Sequence, residues 1–110
     1  MSESSCLFCK IVAGQIPSDK VYEDDEFLAF RDIRPAMPVH VLVIPKAHVV
    51  SLQHIDASHE PMLGRLLGLC SRIAADLGLA DGWRTQINTG AGGGQEVFHL
   101  HVHIMGRPRA

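Results

Sequence analysis

Three histidines recur at every second position close to the end of the chain, namely His99, His101 and His103. Because side chains of a β-strand alternate between its two faces, a strand here places the three imidazoles on one face and the intervening apolar side chains on the other. The apolar face can pack against a helix. The histidine face must therefore meet water, a ligand or a metal ion.

Two kinds of chemistry fit such a row of imidazoles. Neighbouring side chains on one face of a strand lie about 6.6 Å apart, close enough for two imidazoles to bind one metal ion. Alternatively, one histidine acts as a nucleophile while another positions the reacting groups. Neutral imidazole is available for this near pH 7, since its ordinary pKa is about 6.5.

The segment before the histidines favours the nucleophile. Residues 90–95 read GAGGGQ, and glycines let backbone N–H groups approach a ligand closely, as phosphate sites require. The sequence thus places anion donors beside a nucleophile, which is the arrangement that phosphoryl-type transfer needs.

A cysteine pair near the start of the chain indicates a second site. Cys6 and Cys9 have the spacing that suits tetrahedral zinc, but two thiolates need two further ligands. The alternative is a pair of buried cysteines without metal. A redox role is disfavoured, because no strand–helix pattern of the thioredoxin type surrounds the pair. The spacing does not choose among the candidate histidines, which are His40, His48, His54, His59 and the three near the end of the chain.

Composition and charge limit the classes of protein to consider. The chain has 110 residues, 46% hydrophobic and 20% charged, which predicts one ordered domain over residues 1–110. A net charge of −2 argues against a broad nucleic-acid-binding surface. No apolar run approaches the roughly 20 residues of a membrane span, and the polar N-terminus lacks the apolar core of a signal peptide. We therefore expect a cytoplasmic protein that binds neither nucleic acid nor membrane.

The hydrophobic pattern predicts the elements that position these residues. Helices are expected at residues 6–13 and 61–79, the second with Leu66, Leu67, Cys70 and Ile73 among its apolar positions. Strands are expected at residues 21–23, 27–30, 40–44, 84–88 and 97–105. Since helices and strands do not alternate strictly, the order predicts an α+β fold with a mostly antiparallel sheet.

The block from residue 99 to residue 105, HLHVHIM, is similar to the signature of the histidine triad (HIT) family of nucleotide-binding proteins. Residues 6–11, 27–33, 40–48 and 94–98 resemble further blocks of that family, in the same order and spacing. The resemblance implies a single HIT domain with a five-stranded sheet, one long helix and one short helix. It also implies a homodimer in which two sheets form one continuous ten-stranded sheet.

The resemblance implies hydrolysis of purine nucleoside phosphoramidates or aminoacyl adenylates, without an organic cofactor. His101 would attack the α-phosphorus and form a nucleotidyl-histidine intermediate, releasing a nucleoside monophosphate. His103 would contact the phosphate, and His40 would orient and polarise the triad. Two alternatives remain, a non-catalytic purine nucleotide-binding regulator and a dinucleotide polyphosphate hydrolase.

The resemblance also implies roles for other residues. Asp32 would accept the ribose hydroxyls, and Asn88 would hold phosphate oxygens together with backbone amides around Gln95, Glu96 and Val97. Some relatives carry serine or threonine where this chain has Glu96, which leaves protonation of the leaving group open. The base pocket would be lined by Phe8, Ile11, Phe30, Ile33 and Leu42. The zinc ligands would be Cys6, Cys9, His48 and His99.

Overall fold

The computed structural model describes residues 5–108, and these form an antiparallel sheet with helices packed on both faces. The five strands are hydrogen-bonded in the order β1-β2-β3-β5-β4. The predicted α+β fold with one long and one short helix is confirmed. The elements are α1 (Leu7–Val12), β1 (Lys20–Glu23), β2 (Phe27–Arg31), β3 (Val39–Pro45), α2 (Glu60–Asp76), β4 (Arg84–Gln86) and β5 (Val102–Gly106).

Strand alternation divides the interior into two layers. Every residue of the central strand β3 is buried. Val41 and Val43 of this strand belong to the large core beneath α2, whereas Leu42 and Ile44 belong to a smaller core beneath α1. The near-continuous hydrophobic sequence of β3 follows from this double burial, since both of its faces are covered.

The long helix α2 supplies most of the larger core. It begins one residue before Pro61, whose fixed φ and missing N–H suit the first turn. It ends just before Gly78, which has a φ of +83°. Not every apolar position of the helix is buried: Leu67 is 49% exposed, whereas Leu69 is buried on the stripe that faces the sheet.

The predicted last strand is too long at its start. Pairing with β3 begins only at Val102, and the preceding residues are held by other contacts. The Leu100 N–H donates to the Val49 carbonyl at 2.6 Å, and His99 Nε2 lies 2.7 Å from the carbonyl oxygen of Pro45. This stretch therefore bonds to the last residue of β3 and to the segment after it, outside the ladder that pairs β3 with β5.

Two further boundaries are shorter than the sequence predicted. Helix α1 begins after Cys6, which is its N-cap, and residues 13 and 14 lie beyond its end. Strand β4 ends at Gln86, before the loop that carries the glycines. Within residues 5–108, no helix is long and apolar enough to cross a membrane.

Candidate active site and Cys/His cluster

A cavity of about 850 Å³ opens between α1, the sheet and the glycine loop. Part of its wall is apolar, and the rings of Phe8 and Phe30 meet edge to face there at 5.3 Å. The cavity brings together eleven of the residues predicted to bind nucleotide or to react: Phe8, Ile11, Phe30, Asp32, Ile33, Leu42, Asn88, Glu96, Val97, His101 and His103.

His101 is held in one tautomer by the backbone. Its Nδ1 lies 2.7 Å from the carbonyl oxygen of His99. Because a carbonyl only accepts hydrogen bonds, Nδ1 carries the proton and Nε2 keeps a lone pair. Burial lowers the pKa of His101, and the edge-to-face contact with Phe8 at 5.2 Å adds to its apolar surroundings. The side chain is therefore a neutral imidazole with an available nucleophilic nitrogen.

A chain of hydrogen bonds fixes the second imidazole of the cavity. The Ala36 N–H donates to His40 Nδ1 at 3.0 Å, so the proton of neutral His40 is on Nε2. That atom lies 2.9 Å from His103 Nδ1, which accepts. Burial, together with charge on His101 and His40, lowers the pKa of His103 to about 4. Neutral His103 consequently carries its proton on Nε2, as a hydrogen-bond donor.

The Asp32 carboxylate lines the cavity and also contacts two polar groups of the protein. Its Oδ1 accepts a hydrogen bond from the Arg34 N–H at 2.9 Å, which shapes the turn after β2. Its Oδ2 lies 3.5 Å from His40 Nε2. Asp32, His40 and His103 could offer three donor atoms to a metal ion. However, the Ala36 N–H occupies the other nitrogen of His40, so Nε2 is the protonated one. The hydrogen-bonded network therefore describes this group better than a metal site.

The glycine loop is braced by Gln95 from within. The Gln95 side chain is buried and accepts a hydrogen bond from the Gly90 N–H at 2.8 Å. Its amide also donates to the carbonyls of Val50 and Val97. Of the residues predicted to bind nucleotide, Gln95 is the one whose side chain does not line the cavity. Gln95 instead holds the loop in place, and its neighbours Gly94 and Glu96 line the cavity.

Asn88 is tied to the same loop, because its Nδ2 donates to the Gly93 carbonyl at 2.8 Å. The sequence did not identify several residues of the cavity wall, namely Leu7, Ile16, Pro17, Ser18, Asp19, Arg31 and Arg34. Residues 16–19 among them lie between α1 and β1, in a segment that carries no recognisable motif.

Cys6, Cys9, His48 and His99 form a second group of side chains close to Phe8. Their donor atoms all lie within 4.8 Å of one another. Cys6 Sγ is 3.3 Å from His99 Nδ1, and Cys9 Sγ is 3.2 Å from His48 Nδ1. His54 and His59, which the spacing left open as ligands, do not belong to this group.

The donor set fits a structural zinc ion. Two sulfur and two imidazole ligands are a common set for tetrahedral zinc without an open position. His99 donates its Nε2–H to the carbonyl of Pro45 at 2.7 Å, which leaves Nδ1 to bind a metal and fixes the ring in the usual manner of a metal-binding histidine. Cys6 and His99 are fully buried, and Cys9 and His48 are partly buried.

Comparisons with known proteins agree with this geometry. The profile of the HIT domain matches residues 13–110. A protein named purine nucleoside phosphoramidase from Escherichia coli (strain K12) is 46% identical over 101 residues, which cover 91% of this chain and 85% of that protein.

Two solved structures share the fold. A HIT family hydrolase from Legionella pneumophila Philadelphia 1 superposes with a TM-score of 0.92 at 42% identity, covering 96% of this chain and 95% of that one. A zinc-bound histidine triad family protein from Mycobacterium smegmatis has a TM-score of 0.81 at 38% identity, covering 99% of this chain and 79% of that one. The chain, which carries the triad, the fold and the profile match over most of its length, belongs to the HIT domain family.

Proposed function

We propose that this HIT hydrolase releases nucleoside monophosphates from purine nucleoside phosphoramidates or aminoacyl adenylates. The proposal rests mainly on two neutral imidazoles in one cavity, of which one offers a nucleophilic nitrogen and the other offers a hydrogen-bond donor. His101 has a lone pair on Nε2, and His103 has a donor N–H. The name of the E. coli relative supports phosphoramidates as the substrate class.

The nucleotide would lie with its base against the apolar wall of the cavity. Asp32 would accept the ribose hydroxyls with the carboxylate oxygens that its turn leaves available, and the α-phosphate would lie beside His101 and His103. Asn88 and backbone N–H groups around residues 95–97 would hold the phosphate oxygens. Ile33 supports this placement, because its side chain is 92% exposed and lines the cavity. Covering it with a purine ring removes apolar surface from water.

The reaction would proceed in two displacements at phosphorus. His101 Nε2 forms a bond to the α-phosphorus as the bond to the amine nitrogen or to the acyl oxygen breaks, and the leaving group takes a proton if it departs as an amine. Water then attacks the same phosphorus, the bond to Nε2 breaks, and the nucleoside monophosphate leaves. The His103 N–H would stabilise the charge that develops on the phosphate oxygens in both steps.

We also propose that zinc binds to the Cys/His cluster. Cys6, Cys9, His48 and His99 would hold the ion, which would supply no reaction chemistry because all four tetrahedral positions are taken. It would instead join α1, which carries Phe8 and Ile11, to the segment that carries the nucleophile. The zinc-bound relative supports this assignment.

A homodimer is the assembly that we propose. Within the described part of the chain, β4 lies at the edge of the sheet and pairs with β5 alone. An edge strand presents unpaired backbone groups, so pairing of β4 with β4 of a second copy would give the ten-stranded sheet. Sedimentation equilibrium tests this, since a mass of two chains at micromolar concentration is expected. A mass of one chain would contradict the assembly.

The direct test of the proposed activity is release of AMP from adenosine 5′-phosphoramidate by wild type and by His101→Ala. Wild type should turn over, whereas the variant should bind AMP but release none from the substrate. Turnover of a dinucleotide polyphosphate alone would favour that class of hydrolase. Binding of AMP without turnover of the phosphoramidate or of any aminoacyl adenylate would identify a nucleotide-binding regulator instead.

A further inference from the structure

One buried hydroxyl in the cavity wall has no hydrogen-bond partner. Ser18 lies in the segment between α1 and β1 and lines the cavity. Its Oγ is buried, and it makes no hydrogen bond within residues 5–108. An unpaired buried hydroxyl costs free energy, so such groups in folded proteins are uncommon and call for a partner.

Two other polar side chains of the cavity wall, Asp19 and Asp32, already have partners. Asp19 pairs with Arg31, with 3.5 Å between Asp19 Oδ2 and Arg31 Nε. Asp32 holds the turn at Arg34 and faces His40. Unlike these two carboxylates, the Ser18 hydroxyl is neutral and has no partner within residues 5–108.

A purine ring brings polar atoms to the same place. Its flat faces suit the apolar wall, but its ring nitrogens and its exocyclic amino or carbonyl group lose their water when the base enters the cavity. Each of these atoms needs a replacement hydrogen bond, or binding is weakened. Ser18 lines the cavity, and a change between staggered conformers of its side chain needs no movement of the backbone, so its hydroxyl could turn to meet such an atom.

We propose that Ser18 is the residue that recognises the polar edge of the purine base. This proposal rests on the proposed function, and it adds the residue that selects the base. A hydroxyl can both donate and accept, so it can bind the amino group of adenine as well as the carbonyl group of guanine. Ser18 accordingly favours bases with polar edges over apolar aromatic groups of the same size, and it does not choose between the two purines.

The test compares two substrates and two serine variants. One substrate is adenosine 5′-phosphoramidate, and the other carries naphthalene on the ribose in place of adenine, so that its base surrogate has no polar atom. Ser18→Ala removes the hydroxyl in the cavity. The matched control is Ser51→Ala, because Ser51 is also buried but its Oγ accepts a hydrogen bond from the Gln53 N–H.

We expect Ser18→Ala to lower kcat/KM for the adenosine substrate about fivefold and to raise the Kd of AMP by a similar factor, as loss of one neutral hydrogen bond predicts. The naphthalene substrate should react equally well with both proteins. The melting temperature of the free Ser18→Ala protein should be unchanged or higher, since an unpaired hydroxyl is removed. Ser51→Ala should lower the melting temperature and leave the ratio between the two substrates as in wild type.

Three results would overturn the assignment. An unchanged Kd of AMP in Ser18→Ala would mean that the hydroxyl does not contact the base. Equal losses for both substrates would indicate a general disturbance of the cavity. Wild type that neither binds AMP nor releases it would refute the proposed function and the role of Ser18 together, whereas the first two results leave the proposed function standing.

Discussion

The Nδ1 atom of His101 lies 2.7 Å from the backbone carbonyl oxygen of His99, whose own imidazole belongs to the Cys/His cluster. One residue thus contributes to two sites, with its side chain in the cluster and its carbonyl on the nucleophile. The Phe8 ring is near both imidazoles, with ring centroids 6.0 Å from that of His99 and 5.2 Å from that of His101. Changes in the cluster should therefore reach the nucleophile through few intermediate contacts.

Loss of zinc should lower activity as well as stability. Cys9→Ser should remove bound zinc, lower the melting temperature and reduce kcat about tenfold, in the range found when groups that support a site are removed. The reason is that the proposed zinc ion would join α1 to residues 99–101. Zinc content by elemental analysis, thermal melting and kcat for adenosine 5′-phosphoramidate are the measurements.

Cys70→Ala is the matched control for this prediction. Cys70 is also buried, but it lies in α2 beneath the opposite face of the sheet. This variant should keep its zinc and its kcat and lose only stability. Loss of zinc from Cys70→Ala, or full retention of zinc by Cys9→Ser, would contradict the assignment of the ligands.

Stability should depend on pH through His103. Its pKa is lowered to about 4 in the folded protein, whereas an unfolded chain takes up this proton near pH 6.5. Because the pKa is lower in the folded state, the stabilisation that His103 contributes is fully present above the pKa of the unfolded chain. It is lost as the pH falls toward the pKa of the folded protein. The free energy of unfolding should therefore fall by about 2 kcal/mol between pH 8 and pH 5 because of this group.

The contribution of His103 is measured as a difference between wild type and His103→Asn. Urea unfolding at several pH values gives both free energies, and the Cys/His cluster is present in both proteins, so its own pH dependence cancels. The difference in free energy of unfolding between wild type and His103→Asn should change by about 2 kcal/mol between pH 8 and pH 5. Parallel curves would show that His103 titrates normally in the folded state.

Asp32 should contribute mainly to ribose binding. Asp32→Asn keeps an oxygen that can accept from the Arg34 N–H, but it removes the charge that strengthens hydrogen bonds from the ribose hydroxyls. We expect kcat/KM to fall about tenfold for the ribonucleoside substrate and much less for its 2′,3′-dideoxy analogue. The two steady-state rates check this, and equal losses for both substrates would instead indicate a disturbed His40.

Packing beneath the sheet predicts opposite outcomes for two leucines of α2. Leu69 is 1% exposed, and Leu67 is 49% exposed. Leu69→Ala should lower the free energy of unfolding by about 2 to 5 kcal/mol, because it leaves a cavity in the core. Leu67→Ala should change it by less than about 1 kcal/mol in the isolated chain. Chemical denaturation provides both values, and similar losses would mean that Leu67 is covered in solution.

The sequence predicts the architecture well because the apolar patterns are strong. The alternating pattern around His103 and the helical pattern around Ile73 both survive in the structure, and their apolar sides meet in one core. The start of the last strand was not predictable, because an alternating pattern describes extended backbone but does not show which backbone groups pair. His99 bonds to Pro45, the last residue of β3, and Leu100 bonds to Val49 in the segment after it.

The candidate site was predictable where a motif marks it and not elsewhere. The four ligands of the Cys/His cluster follow from the resemblance to the HIT family, since spacing alone leaves His54 and His59 as equal candidates. The brace formed by Gln95 and the buried hydroxyl of Ser18 had no local signal. Both depend on which distant segments meet in the folded chain, and a single sequence does not reveal such contacts.

If the proposed mechanism holds, His101 forms a covalent bond to the nucleotide during turnover. The most direct measurement is to mix enzyme with excess adenosine 5′-phosphoramidate, quench rapidly under alkaline denaturing conditions, and locate any nucleotidyl group by peptide mass spectrometry. We predict an adenylyl group on His101 in wild type, decaying as substrate is consumed, and no adduct in His101→Ala. Steady turnover by wild type with no label on His101, or normal turnover by His101→Ala, would contradict the account.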